Sequence, residues 1–389
     1  MRAEEVKTAA QRKAFLMLPV RLYKGTPQWI RPLDKDIEGV FDPKSNKAFQ
    51  HGEAIRWILM NDDGEVIGRV AAFYDSKHAR KGNDQPTGGM GFFECINDKA
   101  AAFLLMDLCK DWLVGKGMEA MDGPVNFGNR DRWWGLLIEG FGLEPNYQCN
   151  YHFPYYQDFF EAYGFQVYFY QLTFGRTIQG PVREKLLLKN ELIRKDPDYR
   201  FAYLEKRDWH KLPELIRSVY NRAWANRQEI PELSSLQASH LVRQMKPIMD
   251  EKLLWFGYYK DEPIAFFLSL PELNQVFKRL NGKFGWWSKL KFLWYQWRKV
   301  NTKAMGVLFG IVPEHQGKGV DGAIIESFRI YLQSKYQRYV DYEMNWIGDF
   351  NVKMVRMCEQ INVSVAKRHA TYRKLFDPSK PFTRYPIKS

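Results

Sequence analysis

The chain has 389 residues, of which 45% are hydrophobic and 16% aromatic, and its formal net charge is +13 at pH 7. This length predicts two domains with sizeable cores, because one domain typically has roughly 100–200 residues. No uninterrupted apolar stretch approaches the roughly 18 residues of a membrane-spanning helix, and four widely spaced cysteines without a C-x-x-C pair favour neither a zinc site nor a disulfide framework.

The positive charge indicates attraction to an anionic partner, which can be nucleic acid, a lipid surface or the phosphates of a small ligand. Charge alone does not choose among the three. The apolar run at residues 14–20 is too short for a signal peptide. We therefore expect a cytoplasmic protein with ordinary reduced thiols and no metal.

The first half begins with two strands, at 54–60 and 66–73, joined by a hairpin-type turn at 61–64. A third strand is predicted at 90–95. Asn97 or Asp98 then caps a helix that extends to Gly115. The next strand ends at Gly123-Pro124.

The second half repeats this order. A strand and a helix lie between 201 and 224, strands follow at 253–259 and 263–270, and a buried strand at 305–312 leads through a loop into a helix and a strand at 340–347. The helix is indicated by apolar residues at helical spacing from Ala323 to Leu332. Periodicity alone gives a mixed sheet-and-helix class with the same plan twice.

An insertion of about thirty residues, at 272–303, interrupts the second half where a few residues would suffice. Placed on a helix, its large apolar side chains share one face, basic side chains occupy the remainder, and Phe292 and Tyr295 interrupt the pattern. The shared face comprises Trp286, Trp287, Leu290, Leu293, Trp294 and Trp297. Such a helix is typical of an element in the lipid headgroup region. The segment 277–299 therefore predicts peripheral contact with an anionic membrane, at the inner face of that membrane.

Two other interpretations of the insertion stay open. Its aromatic residues can pack as a lid on the second domain. Basic residues interleaved with aromatic ones can also hold single-stranded nucleic acid, but the sequence contains no recognised RNA-binding module, so nucleic acid is the least favoured partner.

The loop from Val312 to Gly322 joins a strand to a helix and contains three glycines. Glycine lets several backbone N–H groups point at one anion, and the helix adds the positive end of its dipole. The spacing fits neither a P-loop nor the dinucleotide fingerprint. The sequence therefore predicts a phosphate cradle of another type, with a plain surface turn as the alternative.

This loop resembles the acyl-coenzyme A loop of the GNAT superfamily of N-acyltransferases, whose pattern is Gln/Arg-x-x-Gly-x-Gly/Ala after the fourth strand. Gln316 and Gly319 match the pattern, whereas Asp321 stands where the family has Gly or Ala. The resemblance implies acyl-CoA or acetyl-CoA as co-substrate, held by Phe309, Gly310, Ile311, Val312, Gln316, Gly317, Lys318, Gly319, Val320, Asp321 and Gly322.

Most of the chain also resembles bacterial tandem-GNAT proteins, some of which are assigned to ceramide synthesis. The longer matching segments are 91–94, 122–126, 135–141, 220–224 and 270–274. The resemblance implies an α/β fold of two GNAT-like domains, each a mixed, mostly antiparallel sheet flanked by helices. The first, at 1–180, is degenerate and lacks the glycine loop; a linker at 181–200 leads to the second at 201–389.

The same resemblance implies an N-acyltransferase that moves an acyl group from a coenzyme A thioester to an amine, including a long-chain acyl group to a sphingoid amine. One alternative is short-chain acetylation of a small or protein amine. Another is a non-catalytic protein that binds acyl-CoA or lipid surfaces; this is encouraged by Asp321 and by Met357 and Cys358, which occupy the region of the Tyr general acid found in many relatives.

Acyl transfer needs a base for the amine, and Glu343, on the strand beside the donor strand, is the candidate, acting directly or through water. A solvent-facing strand Glu is the alternative. Asn351 resembles an asparagine found near coenzyme A, although helix capping explains it equally well. The candidate substrate-binding residues, for most of which core packing is the alternative, are Asn126, Tyr151, His152 and Asn274. No nucleophilic Ser or Cys context is evident, which favours direct transfer.

Overall fold

The computed structural model describes residues 1–180, 191–224, 231–360 and 363–387. Its strands are β1 Arg2–Glu5, β2 Gly52–Met60, β3 Val66–Asp75, β4 Thr87–Cys95, β5 Ala120–Gly123, β6 Leu136–Glu139, β7 Gln166–Thr177, β8 Tyr199–Tyr203, β9 Leu254–Tyr259, β10 Glu262–Pro271, β11 Lys303–Ile311, β12 Asp341–Gly348 and β13 Ser364–Leu375. Its helices are α1 Ala9–Leu22, α2 Asp34–Val40, α3 Lys99–Gly115, α4 Tyr155–Tyr163, α5 Leu212–Trp224, α6 Ser235–Met245, α7 Asn274–Phe277, α8 Trp286–Trp297, α9 Val320–Ser334 and α10 Val352–Gln360.

The described strands form one 13-stranded sheet in the order β1-β2-β3-β4-β5-β13-β7-β12-β11-β10-β9-β8, and β6 pairs with β13 off this path. Within the described chain, β4–β5 and β11–β12 are the parallel pairs, and the other pairs are antiparallel. Each parallel pair is connected by one long helix, α3 or α9. The predicted α/β class with the same plan in both halves is therefore confirmed.

The two halves exchange a strand at the centre of the sheet. Strand β7 belongs to the first half of the chain but pairs with β12 and β13 of the second half. Strand β13 comes at the end of the chain but lies between β5 and β7 of the first half. Because each half lacks a neighbour that the other supplies, the backbone hydrogen bonds of both sheets are completed only together.

Side chains cap the starts of three helices, and the cap of α3 is the predicted one. The Asp98 side chain caps α3 by accepting a hydrogen bond from the backbone N–H of Ala101. Thr8 and Ser234 form capping boxes at α1 and α6. These side chains satisfy N–H groups that a helix start leaves without partners, which stabilises each helix by about 1 kcal/mol.

The apolar residues form four clusters around the sheet. The largest surrounds β9–β12 between α5 and α9, and the second packs α3 and α4 on the first half. A third lies beneath α1 and α2. The fourth joins the insertion to Leu33 of the first half, through Leu273, Val276, Phe277, Leu280 and Phe292. No helix among the described residues is both long and apolar enough to cross a bilayer.

The insertion contains a helix over 286–297, as its periodicity predicts. Phe292 and Tyr295, which interrupt the apolar stripe in the sequence, lie on the inner face of the helix. The Phe292 ring packs against the rings of Phe277 and Phe284, and Tyr295 packs against the same cluster. The stripe itself faces solvent. The inner residues therefore pack within the insertion and against Leu33 and Tyr147 of the first half, which differs from the expected lid on the second domain.

The domain limits 1–180 and 201–389 stay a prediction. Half of the linker at 181–200, namely residues 181–190, lies outside the described residues. The placement of β13 in the first half's sheet is a feature that the sequence did not predict, and it makes residues 364–375 part of both halves.

We expect Arg373→Met to lower the free energy of unfolding by about 3 kcal/mol, because it leaves the Asp122 carboxylate without its buried cation. Arg373 Nε and Nη2 donate to Asp122 Oδ1 and Oδ2 at 2.6 and 2.8 Å. Arg368→Met on the same strand removes a half-exposed pair with Glu139 and should cost less than about 1 kcal/mol. Urea unfolding of both variants measures the difference; equal losses would contradict a central role for the β5–β13 junction.

Candidate functional site

Strands β11 and β12 separate partway along their length. Their parallel pairing runs from Lys303 opposite Asp341 to Gly306 opposite Met344 and stops there. Residues 307–311 therefore keep β10 as a neighbour on one side, and no strand of the described residues pairs with them on the other. Val307, the first residue past the fork, is 50% exposed. The fork presents an apolar strand with free backbone groups to a ligand.

The corresponding fork in the first half is filled by the chain itself. Pairing of β4 with β5 ends at Gly89 opposite Asp122, and the Val125 N–H then donates to the Met90 carbonyl at 2.8 Å. A Cβ placed on Gly91 would lie 1.9 Å from the Val125 carbonyl oxygen, so glycine permits this close approach. Met90 is fully buried. In the first half, the chain after β5 therefore pairs with the stretch of β4 that corresponds to the open stretch of β11.

The loop after β11 forms the predicted bend. Gly317 and Gly319 have φ of +73° and +90°, a region that residues with a Cβ avoid. Gly319 is the N-cap of α9, and the Gln316 side-chain amide donates to the Ile311 carbonyl at 2.8 Å, which ties the loop to the end of β11. Within the described chain, the backbone N–H groups from Gly317 to Gly322 make no hydrogen bond. They form a cluster of free donors beside a helix N-terminus, which suits an oxyanion.

The other predicted donor-site residues line β11. Phe309 packs edge-on against Phe267, with ring centroids 5.7 Å apart, and Val312 is fully buried. A Cβ on Gly310 would lie 2.9 Å from the Trp224 ring, so this glycine allows α5 to pack directly on the strand. The structure thus brings 309–312 and the loop 316–322 together along one edge. Their role in binding acyl-CoA stays a prediction.

Glu343 lies at the closed end of the fork, where it is buried among three polar side chains. Its carboxylate accepts hydrogen bonds from Lys367 Nζ at 2.7 Å, from Lys303 Nζ at 2.9 Å and from Asn146 Nδ2 at 2.6 Å. Lys367 itself is only 2% exposed and also donates to the Glu144 carbonyl. These residues come from the segment 144–146 and from β11, β12 and β13, so the cluster joins the two halves.

The electrostatics of the cluster decide what Glu343 can do. Burial raises the pKa of the Glu343 carboxyl, but the neighbouring ammonium groups of Lys367 and Lys303 lower it further, and the pKa ends below its ordinary value. A carboxylate held in this way is a weak base. The geometry favours an ion cluster that positions the fork, and the assignment of Glu343 as a catalytic base stays a prediction.

Asn351 caps the helix α10: its side-chain oxygen accepts a hydrogen bond from the Met354 N–H at 3.4 Å. This is the structural role that the sequence left open. Nothing in the described contacts of Asn351 points to chemistry, and its catalytic assignment also stays a prediction.

The predicted substrate-binding residues are not brought together. His152 is buried, its Nδ1 accepts the Leu137 N–H at 3.1 Å, and burial lowers its pKa to about 3. The Tyr151 hydroxyl donates to the Phe141 carbonyl. Asn274 Nδ2 donates to the Pro145 carbonyl at 2.8 Å and so ties the insertion to the first half. These contacts hold the fold, and the assignment of the three residues to substrate binding stays a prediction.

Asn126 differs from these three because it lines a cavity of about 440 Å³ on the first half. Its side-chain nitrogen donates to the Asn129 carbonyl, while its buried Oδ1 has no partner in the described chain. Trp134 lines this cavity and also a small one that reaches Trp346 on β12. The first half therefore contributes open space near the centre of the sheet.

The residues around Cys149 complete the surroundings of the fork. Asn345 Nδ2 donates to Cys149 Sγ at 2.8 Å, and Asn345 Oδ1 accepts from Asn146 and Thr173. Burial raises the pKa of the Cys149 thiol to about 12, so it is not a thiolate at neutral pH. No group of His, Cys, Asp and Glu within the described ranges has an arrangement that could hold a metal ion.

Sequence reasoning missed Lys303, Lys367 and Asn146 as neighbours of Glu343. Each is an ordinary polar residue in its own segment, and the segments are far apart in the chain. Lys367 lies in a stretch at 364–375 in which polar and apolar residues alternate, as in a strand. This alternation could have predicted the strand if its basic residues had been assigned buried partners.

We expect Glu343→Gln to lower the free energy of unfolding at pH 7 by about 3 kcal/mol, because two buried ammonium groups lose their counter-ion. The folded pKa of Glu343 lies below its ordinary value of 4.5, so its contribution is present above that pH and is lost as the pH falls through the folded pKa. The difference in free energy of unfolding between wild type and variant, measured by urea unfolding, should thus become smaller at acidic pH. A variant of unchanged stability with a large loss of turnover would instead support the catalytic assignment.

No family model matches the chain. It is 25% identical over 377 residues to "Bacterial ceramide synthase" of Caulobacter vibrioides, covering 95% of this chain and 96% of that protein. It is 27% identical over 383 residues to Protein YghO of Escherichia coli K12, covering 93% and 92%. A solved tandem GNAT protein from the clavulanic acid biosynthesis pathway matches with a TM-score of 0.53 and 11% identity, over 97% of this chain and all of that one. These findings support an acyltransferase, and the chain has the tandem GNAT fold.

Proposed function

We propose that the protein is an acyl-CoA-dependent N-acyltransferase whose donor site is the β11–β12 fork with the loop 316–322. The observation that carries this proposal is the contrast between the halves: the fork in the second half is open and ends at a cluster of free N–H donors, whereas the equivalent fork in the first half is filled. A ligand with an anionic end and an extended chain fits this shape.

The donor would lie with its diphosphate on the N–H groups of Gly317 to Gly322 and its chain along 307–311. Lys318 is exposed at the loop and adds a positive charge. The unpaired edge of β11 supplies backbone donors and acceptors for an amide-containing chain, in the manner of an added strand. The thioester would then lie near Gly306 and Val307, where the strands part.

The chemistry proposed is direct transfer. The amine nitrogen forms a bond to the thioester carbon, the carbon–sulfur bond breaks, the amine loses a proton to a base, and the departing sulfur gains one. Cys149 supports this route, because its raised pKa makes it a poor nucleophile for an acyl-enzyme intermediate. Backbone N–H groups on the free edge of β11 can stabilise the oxyanion.

For the acceptor, we propose a long-chain lipid amine of the sphingoid type. Support comes from the name of the Caulobacter relative, which matches this chain over nearly its whole length, and from the cavity of the first half, which shares Trp134 with a smaller cavity that reaches Trp346 on β12. A short-chain acetyl transfer to a small amine would use the same donor site. It would differ in that the fork need not accommodate a long acyl chain beyond Val307.

The proposal predicts release of free coenzyme A thiol when the protein is incubated with palmitoyl-CoA and a sphingoid base, together with an N-palmitoyl product identified by mass. Acetyl-CoA with the same base and with small amines is the comparison. Turnover with acetyl-CoA alone would support short-chain transfer. Binding of acyl-CoA without turnover in any combination would support the non-catalytic alternative.

The loop predicts a charge dependence of donor binding. Asp321 is in the first turn of α9 without a pairing cation in the described chain, so its carboxylate opposes a diphosphate at the loop. We expect Asp321→Asn to strengthen binding of coenzyme A about fivefold and Lys318→Glu to weaken it by a similar factor or more, since a unit charge at this range contributes about 1 kcal/mol.

Lys335→Glu is the matched control, because Lys335 is exposed at the other end of the same helix. It should leave the dissociation constant of coenzyme A unchanged in calorimetric titration. If the three variants bind alike, the loop does not hold the diphosphate and the donor site lies elsewhere.

A further inference from the structure

The outer face of α8 carries six large apolar side chains that no other part of the described chain covers. Trp286, Trp287 and Trp297 are 72%, 76% and 76% exposed, and Leu290, Leu293 and Trp294 are also exposed. On a soluble surface, apolar residues are normally scattered singly. Here they form one stripe along about three turns of helix, which we name the outer stripe.

The helix that carries the outer stripe is held firmly in place. Phe292 on its inner face is buried against Phe277 and Phe284. The Asp34 N–H donates to the Gly282 carbonyl at 2.8 Å, and Lys278 pairs with Glu144. The stripe is therefore a fixed feature of the surface, anchored to both halves of the protein.

Basic residues border the outer stripe on both sides. At 100° per residue, Lys289 lies on one flank, and Lys291 and Arg298 lie on the other. The segment 277–299 contains seven Lys and Arg and no Asp or Glu. Across the described ranges, Lys278 is the one of the seven that pairs with a carboxylate. The positive charge of this face is therefore left for an external partner.

We propose that the outer stripe of α8 lies in the headgroup region of an anionic lipid bilayer, with the basic residues on both flanks against lipid phosphates. A helix with tryptophan and leucine on one side and lysine and arginine beside them is the form that binds in the plane of a membrane interface. At 12 residues, α8 is about 18 Å long, so it lies on the surface and does not cross it.

A protein partner accounts less well for the same features. A second copy of this chain would bring two all-basic rims together, and like charges facing each other across an interface oppose association. An apolar protein surface would match the stripe but would leave the basic flanks without a counter-charge. An anionic bilayer satisfies both the stripe and its flanks.

The position of α8 relates this surface to the fork. The insertion leaves β10 at Pro271 and returns to β11 at Lys303, which is opposite Asp341 at the closed end of the fork. The loop 316–322 lies at the other end of β11. A bilayer on α8 would therefore lie at the end of β11 opposite the proposed diphosphate site, where an acyl chain or a lipid acceptor would leave or enter the membrane.

The test uses the full-length protein and vesicles, and it requires no activity. We expect the protein to sediment with vesicles made of equal parts phosphatidylglycerol and phosphatidylcholine, and to do so at least about tenfold less with phosphatidylcholine alone or in high salt. Quenching of tryptophan fluorescence by lipids brominated in the acyl chain would report insertion of the stripe.

Two double variants separate the parts of the surface. Trp286→Ser with Trp297→Ser removes apolar contact, and Lys289→Glu with Lys291→Glu reverses the flanking charge; each should lower binding to the anionic vesicles about tenfold or more. Lys44→Glu with Lys77→Glu is the matched control, since it makes the same change in net charge at exposed lysines of the first half. All replaced side chains are exposed, so circular dichroism should show unchanged folding.

Wild-type protein that binds neither vesicle type would overturn the proposal, as would equal loss of binding in the control and the Lys289/Lys291 variant. Concentration-dependent dimers that disappear in the tryptophan variant, without vesicle binding, would assign the stripe to a protein interface instead. None of these outcomes depends on acyl transfer, so failure here is distinguishable from failure of the proposed function.

Discussion

The pairing of β7 with β12 and of β13 with β5 is the constraint on which the rest of the structure depends. The strands of the two halves form one sheet because β7 of the first half pairs with β12, and β13 of the second half pairs with β5. Because backbone donors and acceptors in a sheet interior must be paired, neither half can keep its geometry alone. The fork between β11 and β12 is therefore held open from outside, since β12 is fixed to β7 on its far side.

The same constraint explains why a buried ion cluster lies at the closed end of the fork. Lys367 arrives on the exchanged strand, Glu343 on β12 and Lys303 on β11, and their charges meet with little solvent. Such a cluster requires all of its members, because a missing partner leaves a buried charge. It fixes the point at which β11 and β12 separate.

The two halves have diverged by changing what lies beside the same pair of parallel strands. In the first half, glycine at 91 admits the Val125 backbone, and Asp98 caps the following helix, so both the opening and the free N–H groups are used internally. In the second half, the corresponding strand and helix start stay open. The two halves thus differ in how the backbone groups beside their parallel strands are hydrogen-bonded.

Much of this could be predicted from the sequence where the signal is local. The hairpin around Asn61, the Asp98 cap and the glycine loop depend on neighbouring residues, and each lies where it was predicted. The exchanged strand could not be predicted in this way. Residues 364–375 include Lys367 and Arg373, which are unfavourable in a sheet interior until Glu343 and Asp122 are known to face them.

The stripe on α8 shows the opposite case, in which periodicity identified a face but not its surroundings. The sequence placed the tryptophans together and treated Phe292 and Tyr295 as exceptions. In the structure these two are the residues that attach the helix to the protein. The helix therefore has two apolar faces: an inner one that packs on the protein and an outer one that is exposed.

The place of β13 also bears on how the protein is made. Because translation proceeds from the N-terminus, β5 and β7 leave the ribosome long before residues 364–375 exist to lie between them. The nascent first half therefore leaves edges of β5 and β7 unpaired until residues 364–375 have been synthesised, a state in which chains tend to associate wrongly. This exposure of strand edges during translation follows from the order of the strands.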